Sequence, residues 1–368
     1  MHKLFHIHKY PIWLFALGTQ AKSFRDNPIL GSRTLNRLGL HAGRVLLADI
    51  SARIRWMMLS PLMPKDLRLK YRRDGFVLIE NFLSLPDVQK IRDEIKTYSG
   101  PVRQMSQGDT ATQRIMLDTA ASTHLPVTSE AAHSKKLRNY LAYCGAKWSH
   151  SVMYVQRIHN GFRKAAADPQ KNIHSDTFHP TMKAWLFLED VPEAKGPFTY
   201  VPGSARLTWA RLKWEYRRSV NAASLNDKYS EKGSMRAEPK DFAELNLEGP
   251  KGITVKAGTL VIANTHGFHG RGQAEPGASR IELWAYSRNN PFSIWPGLPL
   301  DFVANVKYRA MEWFRRRKDK QAAAKGGRAS WFLIDAAGMV RPDKQAEQGH
   351  RLPGVATGED PAKKNAAK

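Results

Sequence analysis

Two short stretches of the 368-residue chain hold side chains of the types that bind a metal in an open geometry. His174-Ser175-Asp176 follows a polar loop, and His269 lies in Thr265-His266-Gly267-Phe268-His269-Gly270. In extended backbone, residues two apart point to the same side, so His174 and Asp176 can converge on one ion. A second imidazole from far along the chain would complete a set of two histidines and one carboxylate. That facial set leaves the opposite coordination positions open, the pattern of non-haem Fe(II) sites. Arg280, eleven residues after His269, offers a planar fork suited to the carboxylate of a substrate or co-substrate.

Several neighbours compete for roles. His266 is a rival to His269 as the distal ligand. His179 is either a substrate-side acid/base or a polar pocket residue. Gln156 shares a strand face with Tyr154 and Ile158, and Lys183 begins the strand after the metal loop. Both are candidates to reach a co-substrate or substrate oxygen, and both are also ordinary strand-end polar residues. Trp185 reads as core. The glycine-rich stretches lack phosphate-loop spacing, which excludes a nucleotide site of that kind.

The elements that must position these residues are mostly short strands. Apolar, β-rich runs occur at 152–158, 183–188, 198–201, 252–255, 259–263 and 281–287, separated by Gly196-Pro197, Pro202-Gly203, Ala257-Gly258 and Pro276-Gly277. Many short strands with such punctuation predict a sandwich or jelly roll, with Arg280 reached across a hairpin over 270–279. Before them, residues 1–30 read as irregular because of Pro11, Gly18 and Pro28. Leu35, Leu38, Val45, Ile50 and Ile54 recur at helical spacing over 32–59. A short helix over 65–71, a strand over 75–79 and a helix from Ser84 and Pro86-Asp87 to about Tyr98 follow. Residues 100–134, rich in Ser and Thr, read as loops and short strands. Residues 205–245 form a basic helical insertion. This gives a basic amphipathic extension over 1–64, a domain over 65–297, and a basic extension over 298–368 whose last twenty or so residues are disordered in composition.

The formal charge is +25, from 58 basic and 33 acidic residues, with 42% hydrophobic residues sufficient for a sizeable core. The excess is densest at the ends: residues 1–64 carry nine basic and two acidic residues, residues 298–368 fifteen and eight. No helix-turn-helix, zinc-finger or RNA-binding signature accompanies it, so no nucleic-acid partner is expected. Arg53 to Leu59 and Tyr308 to Arg317 instead mix basic with bulky apolar residues, suiting either an anionic membrane surface or a helix docked on its own domain. The apolar patch over 10–17 is no longer than a signal-peptide core and follows histidines rather than a cationic head. No run approaches the ~20 apolar residues of a spanning helix. The lone Cys144 suits a reducing compartment. A cytoplasmic protein, with a peripheral place on the inner membrane as an option, is the expectation.

Residues 69–290 resemble the phytanoyl-CoA dioxygenase family of Fe(II)/2-oxoglutarate oxygenases, with similarity to its ectoine hydroxylase branch. The resemblance rests on Tyr71 to Leu83, on His174-Ser175-Asp176, on Leu188-Glu189-Asp190-Val191 through Gly196-Pro197-Phe198 to Val201-Pro202-Gly203-Ser204, and on Gly258-Thr259-Leu260-Val261-Ile262 with His269 and Arg280. Ala205 stands where the family usually has a histidine. The resemblance implies a mainly β protein with flanking helices around a double-stranded β-helix (jelly-roll, cupin-like) core. It implies His174, Asp176 and His269 as iron ligands and Arg280 as the clamp for the distal carboxylate of 2-oxoglutarate; the spacing to Arg280 favours His269 over His266. It implies O2 as the second co-substrate, succinate and CO2 as by-products, and hydroxylation of an unactivated C–H bond. A carboxylate at Asp176 argues against halogenation, whose enzymes carry a small residue there. The substrate is unidentified; the basic flanks suit an anionic or lipid-linked small molecule. Two other readings stay open at this level: a catalytically inactive jelly-roll protein binding acidic lipid or polysaccharide, and a cupin-type isomerase with another metal.

Overall fold

The computed structural model describes residues 8–225 and 227–334; the tail expected from its composition to be disordered lies outside them. Three helices begin the chain: α1 (Tyr10–Leu17), α2 (Arg33–Arg37) and α3 (Leu40–Met58). Residues 1–30 were expected to be irregular, yet Pro11 falls in the first turn of α1, where its missing N–H leaves nothing unpaired. The Ser32 hydroxyl caps α2 by accepting from Leu35 N. Helix α3 buries Val45, Ala48, Ala52 and Trp56 at helical spacing, and the same face carries the buried His41, Arg44 and Arg55, whereas Leu46, Leu47, Ile50 and Met57 are exposed. The buried guanidinium groups are satisfied by backbone carbonyls: Arg44 donates to Leu17, Thr19 and Ala21, and Arg55 to Ala146.

Next come α4 (Lys65–Asp74), β1 (Phe76–Ile79) and α5 (Leu85–Thr97), the last capped by Ser84 through Asp87 N. The stretch read as loops and short strands holds two full strands, β2 (Val102–Gln107) and β3 (Thr110–Met116), and two helices, α6 (Thr119–His124) and α7 (Pro126–Ala132). Asp118 caps α6 through Ala121 N and Pro126 opens α7, local signals that outweigh the low helix propensity of the threonines. Helix α8 (Lys135–Cys144) leads to β4 (Val152–His159), β5 (Met182–Phe187) and β6 (Phe198–Tyr200). The insertion contributes α9 (Trp209–Val220) and α10 (Pro239–Glu244). Then follow β7 (Lys251–Ile253), β8 (Leu260–Asn264), β9 (His269–Arg271), β10 (Ser279–Ser287), the long α11 (Asp301–Ala323) and β11 (Phe332–Ile334).

The strands form two antiparallel sheets, one of eight strands in the order β1-β8-β5-β10-β4-β3-β2-β11 and one of three in the order β7-β6-β9. One face of the large sheet packs Ile115, Val155, Leu186, Ile262 and Leu283 against apolar residues of α4, α5 and α8. The other packs Tyr154, Trp185, Phe187 and Trp284 against Phe198, Tyr200 and Ile253 of the small sheet. With this many helices, the architecture is a mixed helix and antiparallel-sheet fold, which corrects the expectation of a mainly β protein. None of the described helices is long and apolar enough to cross a membrane.

Candidate metal centre

A single piece of β-ladder brings the histidines together. His174 N donates to His269 O and His269 N to His174 O, both at 2.9 Å, so the two residues face each other as bridge partners. Asp176 lies two residues on and is tied to the same run by donating from its N to Thr265 O at 2.9 Å. The side-chain consequence is that His174 Nε2 lies 3.6 Å from Asp176 Oδ1 and His269 Nε2 lies 3.8 Å from Asp176 Oδ2. One ligand atom from each of the three residues falls within 4.8 Å of the others.

The ring orientations are fixed from behind. His174 Nδ1 is 2.7 Å from Asn172 O and His269 Nδ1 is 2.9 Å from Gly267 O. A carbonyl can only accept, so each Nδ1 carries the proton and each Nε2 presents a lone pair. His269 Nε2 is buried without a hydrogen-bond partner, an arrangement that costs free energy unless something electrophilic occupies the space. Burial pushes the His269 imidazole down to about 3, and also lowers His174. Burial alone would raise Asp176, but Lys183, His269 and His174 together hold its carboxyl well below the usual range. Two neutral imidazoles and one carboxylate are the protonation states that a divalent cation requires of its ligands. The donor set and the orphaned Nε2 fit a ferrous ion.

His266 is turned elsewhere: its Nδ1 is 3.0 Å from Thr177 O, and burial lowers the ring to about 4. His179, also buried, is lowered to about 3, with Nδ1 at 3.1 Å from Pro180 O. Lys183 reaches the centre through its salt bridge to Asp176 Oδ2 at 2.7 Å. Arg280 and Gln156 lie on the face of the large sheet that looks at the small one. Arg280 Nη1 donates to Gly196 O, and its Nε stands 3.2 Å from Glu282 Oε2 without the alignment of a hydrogen bond. Glu282 Oε1 accepts from Gln156 Nε2 and Gln156 Oε1 accepts from Arg114 Nε, each at 2.7 Å. The segment 270–279 is not a hairpin: β9 pairs with β6 while β10 pairs with β4 and β5, so the chain crosses between sheets on its way from His269 to Arg280.

Sequence reading missed the residues that brace the turn before His269. Arg211 of α9 donates to His266 O at 3.1 Å and to Ser204 O at 2.6 Å, and pairs with Glu215 at 2.9 Å. Glu215 in turn bonds His41 Nε2 of α3 at 3.0 Å. Burial would raise Glu215, but Arg211 and His41 hold it at about 2. A Cβ on Gly267 would lie 1.9 Å from Tyr200 Oη, so only glycine lets this turn approach β6. Lys22 was also missed: its ammonium donates to the Asp176 carbonyl from 154 residues away, and burial brings it down to about 8. Only the i, i+4 spacing of Arg211 and Glu215 on a helix was visible as a signal.

Two antiparallel sheets with a buried cluster of two histidines and a carboxylate define a non-haem metal protein of the open, facial type. The chain belongs to the phytanoyl-CoA dioxygenase (PhyH) family, whose model matches residues 71–280, and so to the Fe(II)/2-oxoglutarate oxygenases. No curated protein matches its sequence. Among solved structures it is similar to the non-heme α-ketoglutarate-dependent epimerase SnoN from nogalamycin biosynthesis, at 20% identity and a TM-score of 0.43, covering 62% of this chain and 82% of that one. It is also similar to HygX from Streptomyces hygroscopicus with nickel and 2-oxoglutarate bound (17%, TM-score 0.38, 61% and 86%). EctD from S. alaskensis in its apoform is a third (14%, TM-score 0.38, 63% and 81%). The family match excludes α1 to α3 and everything after Arg280.

Proposed function

We propose that the protein hydroxylates an unactivated C–H bond of a small-molecule substrate on a double-stranded β-helix, with His174, Asp176 and His269 holding ferrous iron. The convergence of these three side chains around the unpartnered His269 Nε2 carries the reading. When bound, iron with 2-oxoglutarate and O2 supplies the oxidising chemistry; the chain's residues bind and orient. Arg280 takes the distal carboxylate of 2-oxoglutarate, with Glu282 and Gln156 setting the direction of its guanidinium. Lys183 keeps Asp176 ionised and leaves one carboxylate oxygen free for the ion. The buried phenyl ring of Phe198, 6.0 Å from the His269 ring and 4.3 Å from Trp185, limits water beside His269. A pure binding module has no physical reason to gather these groups. Anaerobic Fe(II) with 2-oxoglutarate should produce a visible charge-transfer band, and Asp176→Ala should abolish both the band and succinate release while the far-ultraviolet circular dichroism stays unchanged. A wild-type protein without the band would sink the reading.

A second observation favours work at a membrane surface on the cytoplasmic side, where the buried thiol of Cys144 stays reduced. Helix α1 has no buried residue, and Ile12, Leu14 and Phe15 are 66%, 57% and 77% exposed. Leu47, Ile50 and Met57 of α3, Trp295, and Phe302 and Val306 at the start of α11 are exposed as well. The segment between β10 and α11 connects these helices: Asn290 donates to Gly18 O and Ser51 to Phe292 O. Apolar surface of this extent on a chain of charge +25 is complementary to an anionic bilayer. The protein should float with phosphatidylglycerol-containing vesicles, less so at high salt, and not with phosphatidylcholine alone; absence of flotation with either would remove the proposal.

A further inference from the structure

The cavity beside the metal centre carries more positive charge than the proposed reaction uses. It has a volume of about 300 Å³. Tyr154 of β4 and Trp284 of β10 form an aromatic floor, Asp176 and Lys183 one wall, and Met311 of α11 with Trp331 the roof. Arg114, Arg288 and Arg315 complete the charged lining. Arg288, Arg315 and Trp331 all lie beyond the family match.

None of these three arginines has a carboxylate within ion-pairing distance among the described residues. Arg114 gives its Nε to the neutral Gln156, and its guanidinium sits between the rings of Trp284 at 3.9 Å and Trp331 at 4.6 Å. Arg315 donates to the Tyr154 hydroxyl at 2.9 Å and to Met116 Sδ at 3.6 Å. Arg288, the residue after β10, lines the cavity and is exposed. The paired charges at the site cancel without them, and Lys22, which donates to the Asp176 carbonyl, adds a positive group rather than a negative one. Asp176 is balanced by Lys183 at 2.7 Å, and Arg280 stands 3.2 Å from Glu282. The dianionic co-substrate balances a divalent ion. Three guanidinium groups therefore remain around one small cavity, where the surrounding protein strengthens their mutual repulsion. Clamping Arg114 between two indoles and tying it to Gln156 spends structure on holding a charge where it repels its neighbours. A ligand anion would reverse that repulsion, and the guanidinium fork is the group best shaped to receive one.

We propose that this cavity is a subsite for an organic oxyanion carrying at least two negative charges, a phosphoryl or polycarboxylate group of the substrate, held by Arg114, Arg315 and Arg288 so that the attached carbon framework lies over the aromatic floor beside Asp176. The assignment rests on the oxygenase reading for its catalytic meaning, but the anion site itself can be tested without the metal. Calorimetric titration of the metal-free full chain with inorganic phosphate, glycerol 3-phosphate and citrate at low salt should show binding. Arg114→Gln and Arg315→Gln should each weaken it at least about tenfold, the loss of a charge-assisted bidentate contact, and Arg315→Lys should recover part of the loss. The stronger of the phosphate and citrate responses assigns the oxyanion class. The Fe(II)/2-oxoglutarate band should persist in Arg114→Gln and Arg315→Gln. Oxyanion binding that is absent, or unchanged in these variants, overturns the subsite, and so does loss of the band, which would give these arginines to the co-substrate. A wild-type chain that binds oxyanions yet never forms the band would leave the subsite standing and remove the oxygenase reading.

Discussion

Along β10, Ile281, Leu283 and Ala285 face the helices, while Arg280, Glu282, Trp284 and Tyr286 face the small sheet. The same alternation runs through the neighbouring strands. Val155 on β4 and Ile115 on β3 lie on the helix side, and Gln156 and Arg114 lie opposite them on the other. One face is a conventional apolar core whose free energy comes from area removed from water. The other buries a chain of polar groups, Arg280–Glu282–Gln156–Arg114, in which one ion pair and two hydrogen bonds do little more than offset the desolvation of their partners. The difference separates the two tasks of the sheet. The helix side holds the fold, and that stability lets the other side keep charges poised for ligands.

This division can be broken most forcefully by Leu283→Ala. Leu283 is 1% exposed in the helix-side core, so the truncation should cost about 2–5 kcal/mol of unfolding free energy in urea. Calorimetric affinity for Mn(II), used as an air-stable stand-in for ferrous iron, should stay within about twofold. A large fall in metal affinity with stability intact would show that the two faces are not separable.

Much of this was readable from residues alone. The positions of β4, β5, β8 and β10 followed from short apolar, β-rich runs bounded by Gly and Pro, and helix α5 from the Ser84 cap with Pro86 behind it. The candidate ligands were legible because His174 and Asp176 fell at strand-like spacing and His269 followed a later strand. What stayed hidden was non-local or of the opposite polarity to the usual rule. Nothing in a Thr-rich stretch marks Arg114 as a residue clamped by indoles from β10 and from the segment before β11. The burial of Arg44 and Arg55 beside Val45, Ala48, Ala52 and Trp56 on α3 is not readable from hydrophobic periodicity, because backbone carbonyls, which have no sequence signature, satisfy both guanidinium groups. The crossing between sheets after His269 reads in sequence as a hairpin because Pro276-Gly277 is a turn signal in either topology.

The smallest expected effect tests an exception on the helix side. His159 ends β4 with the parity of Val155 and is buried, with Nε2 3.2 Å from Gln113 Oε1. Burial, with Arg157 adding to it, pushes the imidazole from 6.5 down to about 4. The unfolded chain therefore binds a proton at His159 between those two values and the folded chain does not. The stability that this neutral ring contributes is complete above pH 6.5 and is lost as the pH falls toward 4, by at most about 1.4 kcal/mol per pH unit. His159→Gln retains an amide for Gln113 and removes the titration. Urea unfolding at pH 7 and pH 5.5 should then show a smaller drop in the variant than in the wild type, by about 1 kcal/mol. Equal drops would mean that His159 titrates normally and that the polar end of this face is open to water, which would confine the apolar division to the middle of the sheet.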